Sequence, residues 1–364
     1  MSERKGKRFP GASGGGSDEG VGRGPSFDPD RRVVAVSGAR SFAGAEIIRA
    51  LEEDRRYAKI LAVDIRKPDA LDRTQFFKVD LTLPTADADL AELLADEGVD
   101  TFVHAAFLAA PTHATAWAHE LEDVGTMHVL NACAEARVHK FVLASTTMVY
   151  GADPRNPNFI GEDAELRSKP SAPYIDDKVS AERQVRRFAH ENPRTAVTVL
   201  RAALTLGPTI TNYVTRFFAR PVAPVIMGFD PLLQFIHEED VAAAFKLAVD
   251  DDFPGVFNLV GDGVLPYSTV LAMMGKLPVP VPHFLARPIA RALWMTQLLD
   301  APPAFLDFLR FLCVADGEKA RRVLGFAPRH DIRATIQDFL GVRGDELDRQ
   351  AVRREPTILG DERR

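Results

Sequence analysis

The stretch VVAVSGARSFAGAEII, residues 33–48, joins a β-branched run to a glycine turn and then to a helical apolar pattern. Val33 to Val36 read as a strand, and Gly38 supplies the tight turn after it. Ala43, Ile47, Ile48 and Leu51 then recur on one face at helical spacing. Gly44 lets that helix lie close to the strand, and the helix amino terminus presents unpaired amides to an anion. Ser41 stands where a glycine is expected against a dinucleotide pyrophosphate. It is small, and its hydroxyl is able to donate to a phosphate oxygen. Gly38, Ser41, Phe42 and Gly44 therefore read as a cofactor loop. A β–α turn with no ligand would use the same glycines, so this stretch alone leaves both open.

Further along, short apolar runs alternate with helical patterns. The strand candidates are residues 33–38, 60–65, 76–81, 101–106, 140–146, 197–203 and 256–260. Several are continuously apolar, as suits strands covered on both faces, and the alternation predicts a parallel, doubly wound α/β sheet. From Gly207 the rhythm changes. PVAPVIMGFDP, KLPVPVPHFLARP and DAPPAF are proline-rich connectors around short helices. They predict a smaller, mostly helical substrate domain over the carboxyl edge of the sheet. The expected division is a dinucleotide-binding domain over 31–207, to which 235–262 returns, and a substrate domain over 208–234 and 263–342. Residues 1–30 and 343–364 are too polar to order themselves and are expected to be disordered tails.

Composition narrows the classes. At 46% hydrophobic and 26% charged, the 364 residues are ordinary for a globular enzyme. A net charge of −6 without a basic block argues against nucleic acid. Two cysteines, Cys133 and Cys313, make a disulfide framework improbable and fit a reducing cytoplasm. The amino terminus lacks the apolar core of a signal peptide, and no apolar run is long enough to span a bilayer.

Asp64 ends the second strand candidate, 20 residues after Gly44, where an acid accepts hydrogen bonds from the adenine ribose. A carboxylate there repels the extra phosphate of NADP, so NAD is the expected cofactor; Arg66 and Lys67 beside it offset part of that repulsion. PYIDDK then places Tyr174 and Lys178 four apart, neighbours on one helix face. Of five tyrosines, Tyr174 alone has lysine at that spacing. A phenol with an ordinary pKa near 10 needs a nearby cation to act as an acid–base catalyst at neutral pH. Lys178 supplies one, and its ammonium can also hold the nicotinamide ribose.

With these motifs the chain resembles the extended short-chain dehydrogenases, the NAD-dependent epimerase/dehydratase group, from about residue 32 to 340. VDTFVHAA (99–106), GTMHVLNAC (125–133), LASTTMVYG (143–151), LRAALTLGP (200–208), FIHEEDVAAA (235–244) and VFNLVGDG (256–263) carry the resemblance in order. It implies a Rossmann-type fold with Asp80 and Leu81 beside the adenine and Ala105 and Ala106 lining the cofactor groove. Thr146, five residues before Gly151, would orient the substrate oxygen; Ser145 is the alternative if the register shifts by one. Tyr174 would move the hydroxyl proton while hydride passes between the substrate and the nicotinamide. The implied substrate is a secondary alcohol of a sugar-nucleotide-like molecule. A hydrophobic alcohol, as in the hydroxysteroid branch, is the alternative, and a non-catalytic NAD-binding regulatory protein is a third. A homodimer is usual in such relatives.

Relatives that handle UDP-hexoses carry an asparagine and an arginine where this chain has Leu204 and Leu233. Arg216 or Arg220 would have to reach the diphosphate instead. Four further features are given structural readings. HEED, residues 237–240, is a strand end and helix start, and His104 is a packing residue. The nine histidines form no ligand cluster, so no metal is expected. The apolar stretch 284–299 is assigned to core packing or to a wall of the substrate pocket.

Overall fold

The structure, a computed structural model, describes residues 32–167, 172–299 and 301–341. Both expected tails lie outside these residues. The strands are β1 (Arg32–Ser37), β2 (Tyr57–Asp64), β3 (Gln75–Lys78), β4 (Thr101–His104), β5 (Lys140–Thr146) and β6 (Ala196–Ala202). Then come β7 (Leu204–Leu206), β8 (Val222–Ile226), β9 (Leu232–Leu233), β10 (Phe235–His237), β11 (Gly255–Leu259), β12 (Leu265–Pro266) and β13 (Leu277–Val281). The named helices are α1 (Phe42–Glu52), α2 (Ala86–Asp96), α3 (Thr115–His119), α4 (Gly125–Glu135) and α5 (Pro173–Glu191). They continue with α6 (Tyr213–Ala219), α7 (Glu238–Asp250), α8 (Tyr267–Met273) and α9 (His283–Met295).

Seven strands form one parallel sheet in the order β11-β6-β5-β4-β1-β2-β3. All seven expected strands are there, displaced by at most a few residues. This is the doubly wound, Rossmann-like arrangement, with the order reversing beside β1. The alternation of side chains assigns the two faces. Val34 and Val36 of β1 and Ile60 and Ala62 of β2 pack in one apolar cluster with Ile47 and Ile48 of α1 and Phe245 of α7. Ala35, Leu61 and Val63 point the other way, to Leu90 and Leu94 of α2, Val129 and Cys133 of α4, and Phe188 of α5. Because the strands are parallel, Gly38, Asp64, Ala105 and Thr146 all emerge at the same carboxyl edge.

A third apolar cluster joins Val214 and Phe218 of α6, Leu233, Phe235, Tyr267 and Val270 of α8, and Phe339. Around it the short helices are accompanied by three two-stranded sheets, β7–β10, β9–β12 and β8–β13. Between β10 and β11, helix α7 packs on α1, and β11 pairs with β6 at the edge of the main sheet.

One expectation is corrected. The stretch 284–299 is not core. Phe284, Leu285, Ile289, Met295 and Leu298 are exposed, Phe284 by 75% and Met295 by 70%. Helix α9 turns Ala286 and Ala290 inward, so its small side chains are buried and its large apolar ones are left outside.

Candidate active site

The turn after β1 is shaped by backbone contacts that only glycine allows. Gly38 has φ +67°, and a β-carbon there would lie 2.5 Å from the Ala105 carbonyl oxygen. One on Gly44 would lie 2.2 Å from the Gly38 carbonyl oxygen. Ser41 is the N-cap of α1: its Oγ accepts the Gly44 amide at 3.0 Å. That bond uses an oxygen lone pair, and the hydroxyl proton remains able to donate to an anion. No acid lies in the first turn of α1 to oppose one. Asp64, at the end of β2, accepts the Arg40 amide at 2.9 Å and the Arg66 amide at 3.3 Å, which fixes its carboxylate beside the glycine turn. Asp80 accepts from the Thr82 amide and hydroxyl, and Leu81 is buried against Gly125. Ala105 and Ala106 line the turn with backbone. These residues fit a dinucleotide: turn, helix terminus and acid share one edge.

At the end of β5 the two adjacent hydroxyls diverge. Ser145 donates to Glu182, which also holds the buried Arg201 guanidinium. It is committed to that network. The Thr146 oxygen accepts the Met148 amide at 3.3 Å and caps the 3-10 turn over Thr147–Tyr150. Met148 in turn accepts the Tyr213 hydroxyl, and the Tyr213 ring packs edge-on to Tyr174 at 6.1 Å between centroids. Phe305 closes the same corner, 5.9 Å from Tyr174 and 5.3 Å from Tyr213.

Pro173 opens α5, and the next turns place Lys178 Nζ 4.1 Å from the Tyr174 ring centroid. The Tyr174 hydroxyl donates to the Leu108 carbonyl at 3.1 Å. Lys178 has a partner that sequence reasoning missed. Its Nζ donates to Glu122 Oε1 at 2.7 Å, both groups buried, and the Leu108 amide donates to the same oxygen at 2.7 Å. Glu122 Oε2 is buried without a hydrogen-bond partner among the described residues. Glu122 sits in a π-helical turn, Glu120–Val124, which joins α3 to α4. An acid just before the apolar GTMHVLNAC segment was the available signal. Desolvation, with the charges of Tyr213 and Glu122 adding to it, holds the Tyr174 phenol well above its ordinary value. Desolvation likewise raises the Glu122 carboxyl, against the pull of Lys178.

The other features divide. His104 is fully buried between Ser37 Oγ (2.7 Å) and Thr126 Oγ1 (3.1 Å), and burial drives its pKa down to about 3; it is packing, as expected. His237 ends β10 and caps α7. Glu238 accepts the Thr209 and Ile210 amides, and Asp240 accepts those of Arg329 and His330. The expectation that no histidines cluster is corrected. The rings of His237 and His330 stack at 3.8 Å, and with Asp338 their ligand atoms lie within 4.8 Å of one another. Their wide separation in sequence hid this. His237 Nδ1 accepts the Glu239 amide, so a neutral ring carries its proton on Nε2, which faces Asp338 at 3.6 Å. That tautomer suits donation to a carboxylate.

Arg216 is exposed on α6, and Arg220 donates to the Leu298 carbonyl at 3.1 Å. Leu233 is buried in the third apolar cluster.

The model of the NAD dependent epimerase/dehydratase family matches residues 34–259, a span that holds every residue of this site except Phe305. The chain belongs to that family. A Mycobacterium tuberculosis relative, itself uncharacterized, is 32% identical over 324 residues, covering 86% of this chain and 84% of its own. Sterol-4-alpha-carboxylate 3-dehydrogenase, decarboxylating, of Bos taurus is 27% identical over 256 residues, covering 67% and 69%. Among solved structures, the UDP-glucose 4-epimerase of Thermotoga maritima with UDP-glucose superposes with a TM-score of 0.66 at 19% identity, covering 86% of this chain and 99% of its own. The epimerase/dehydratase fold is thus shared along nearly the whole described chain.

Proposed function

We propose that this family member is an NAD-dependent dehydrogenase or reductase of a secondary alcohol on a largely apolar molecule. The observation that carries the reading is the enclosure of Tyr174 by Tyr213 and Phe305, with Leu233 buried nearby in the fold's apolar interior. Of the two expected substitutes for a diphosphate clamp, Arg216 is exposed on α6 and Arg220 binds the Leu298 carbonyl. A phosphate in such surroundings would lose water without a charge-assisted partner, which an arginine supplies at roughly 1.5–3 kcal/mol.

Gly38, Ser41, Phe42, Gly44, Asp64, Asp80, Leu81, Ala105 and Ala106 would hold the dinucleotide, and Asp64 favours NAD over NADP. The nicotinamide, when bound, supplies a hydride acceptor or donor. Thr146 orients the substrate oxygen, and Tyr174 takes or returns its proton. Lys178 would favour the phenolate and hold the ribose, while Glu122 shares that ammonium. The sterol dehydrogenase relative supports the reading over the 67% of this chain that it covers. A sugar-nucleotide substrate is the second reading, favoured by the fold neighbour crystallised with UDP-glucose. Thermal-shift measurements in saturating NAD separate the two. Sterols or long-chain alcohols are expected to stabilise the protein, and UDP, dTDP or GDP sugars to leave it unmoved. A large stabilisation by a UDP-hexose, abolished by Arg216→Ala or Arg220→Ala, would establish the second reading instead.

A further inference from the structure

We propose that α9, together with β8 and β13, is a docking surface for an anionic lipid bilayer. Nine of the fifteen large hydrophobic side chains exposed among the described residues lie in these three elements or within three residues of their ends. Phe284, Leu285, Ile289, Met295 and Leu298 come from α9 and its end; Val222, Met227, Leu277 and Val279 come from the strands. The elements meet at their ends. Arg220, just before β8, donates to the Leu298 carbonyl, while the Met227 amide after β8 donates to the Val281 carbonyl at 3.0 Å. Helix α9 thus starts just after the end of β13, and its far end lies by the start of β8. A concentration of exposed apolar surface of this kind marks an interaction site.

Charge selects the occupant. Helix α9 itself contains Arg287 and Arg291 and no aspartate or glutamate, in a chain whose net charge is −6. Arg287 pairs with the buried Asp307 at 3.0 Å. Large apolar side chains interspersed with arginines and devoid of acids suit a helix lying in the interface plane, with its apolar groups among acyl chains and its cations at acidic headgroups. No helix among the described residues is long and apolar enough to cross a membrane, so the docking is peripheral. The surface adjoins the site. Trp294 of α9 stacks on His113 at 3.9 Å, in the loop whose Leu108 binds Tyr174. The inference stands independently of the substrate proposed above.

The test is co-sedimentation of the full chain with phosphatidylcholine vesicles, with and without phosphatidylglycerol. Wild type is expected to pellet with the anionic vesicles, to stay in solution with the neutral ones, and to be released by high salt. Arg291→Glu should weaken binding by about fivefold or more, the effect of one cation at such a surface. The triple change Phe284→Ser, Ile289→Ser and Met295→Ser should abolish it without moving the unfolding temperature, because these side chains are exposed. Equal pelleting with both vesicle types, or none with either, would overturn the proposal. So would a wild-type dimer in light scattering that the triple change dissociates while vesicles bind neither form.

Discussion

Tyr174 keeps its phenol in a desolvated corner whose single close ammonium, Lys178, is shared with the buried carboxylate of Glu122. Glu122 partly neutralises the cation that should favour the phenolate, and its own charge raises the phenol further. The sign of its removal follows. In Glu122→Gln the carboxylate charge is gone while Lys178 keeps its own, so the Tyr174 pKa falls. Alcohol oxidation needs the phenolate, and its kcat/KM rises as pH passes that pKa. The rise should move to lower pH in Glu122→Gln, and an unmoved or higher midpoint would show that Glu122 acts only in packing. The pairing of Tyr174 with Lys178 was legible because their spacing along a helix is their geometry, whereas Thr146 was named from the family resemblance. Glu122 was not, since its role comes from a π-helical turn that aims it at Lys178 56 residues away.

The seven strands and the first helix were readable from period and glycine placement, because a sheet covered on both faces needs near-continuous apolar runs. Helix α9 was misread for a physical reason. Periodicity reports an apolar helix but not whether anything covers it, and here only Ala286 and Ala290 are fully buried. Elements of the sheet also carry a pH liability. His104 ties β4 to Ser37 of β1 and Thr126 of α4 in a fully buried position, with a folded pKa of about 3 against 6.5 ordinarily. Between those values the unfolded chain binds more protons than the folded one, so stability is complete above about pH 6.5 and falls as pH drops. The slope attributable to this residue is roughly 1.4 kcal/mol per pH unit. Urea unfolding from pH 7 to 5 should show that loss in wild type and a shallower one in His104→Gln. Equal slopes would remove His104 as the cause.

Over the whole molecule, the parallel sheet delivers the glycine turn, Asp64, Ala105 and Thr146 to one edge, and α5 brings Tyr174 and Lys178 to the same place. The carboxyl-edge site was foreseeable from topology alone. The aromatic corner of Tyr213 and Phe305 was not, because it joins segments that meet only after the chain has folded. The central claim is that Tyr174 performs acid–base work on an alcohol while the dinucleotide is held by other groups. The measurement is paired: kcat for NAD reduction with the stabilising sterol or long-chain alcohol, and NAD affinity by calorimetry, for wild type and Tyr174→Phe. A positioned acid or base contributes about 10²–10⁴-fold. The account predicts a fall in kcat of that order with NAD affinity nearly unchanged; comparable turnover in the two proteins would contradict it.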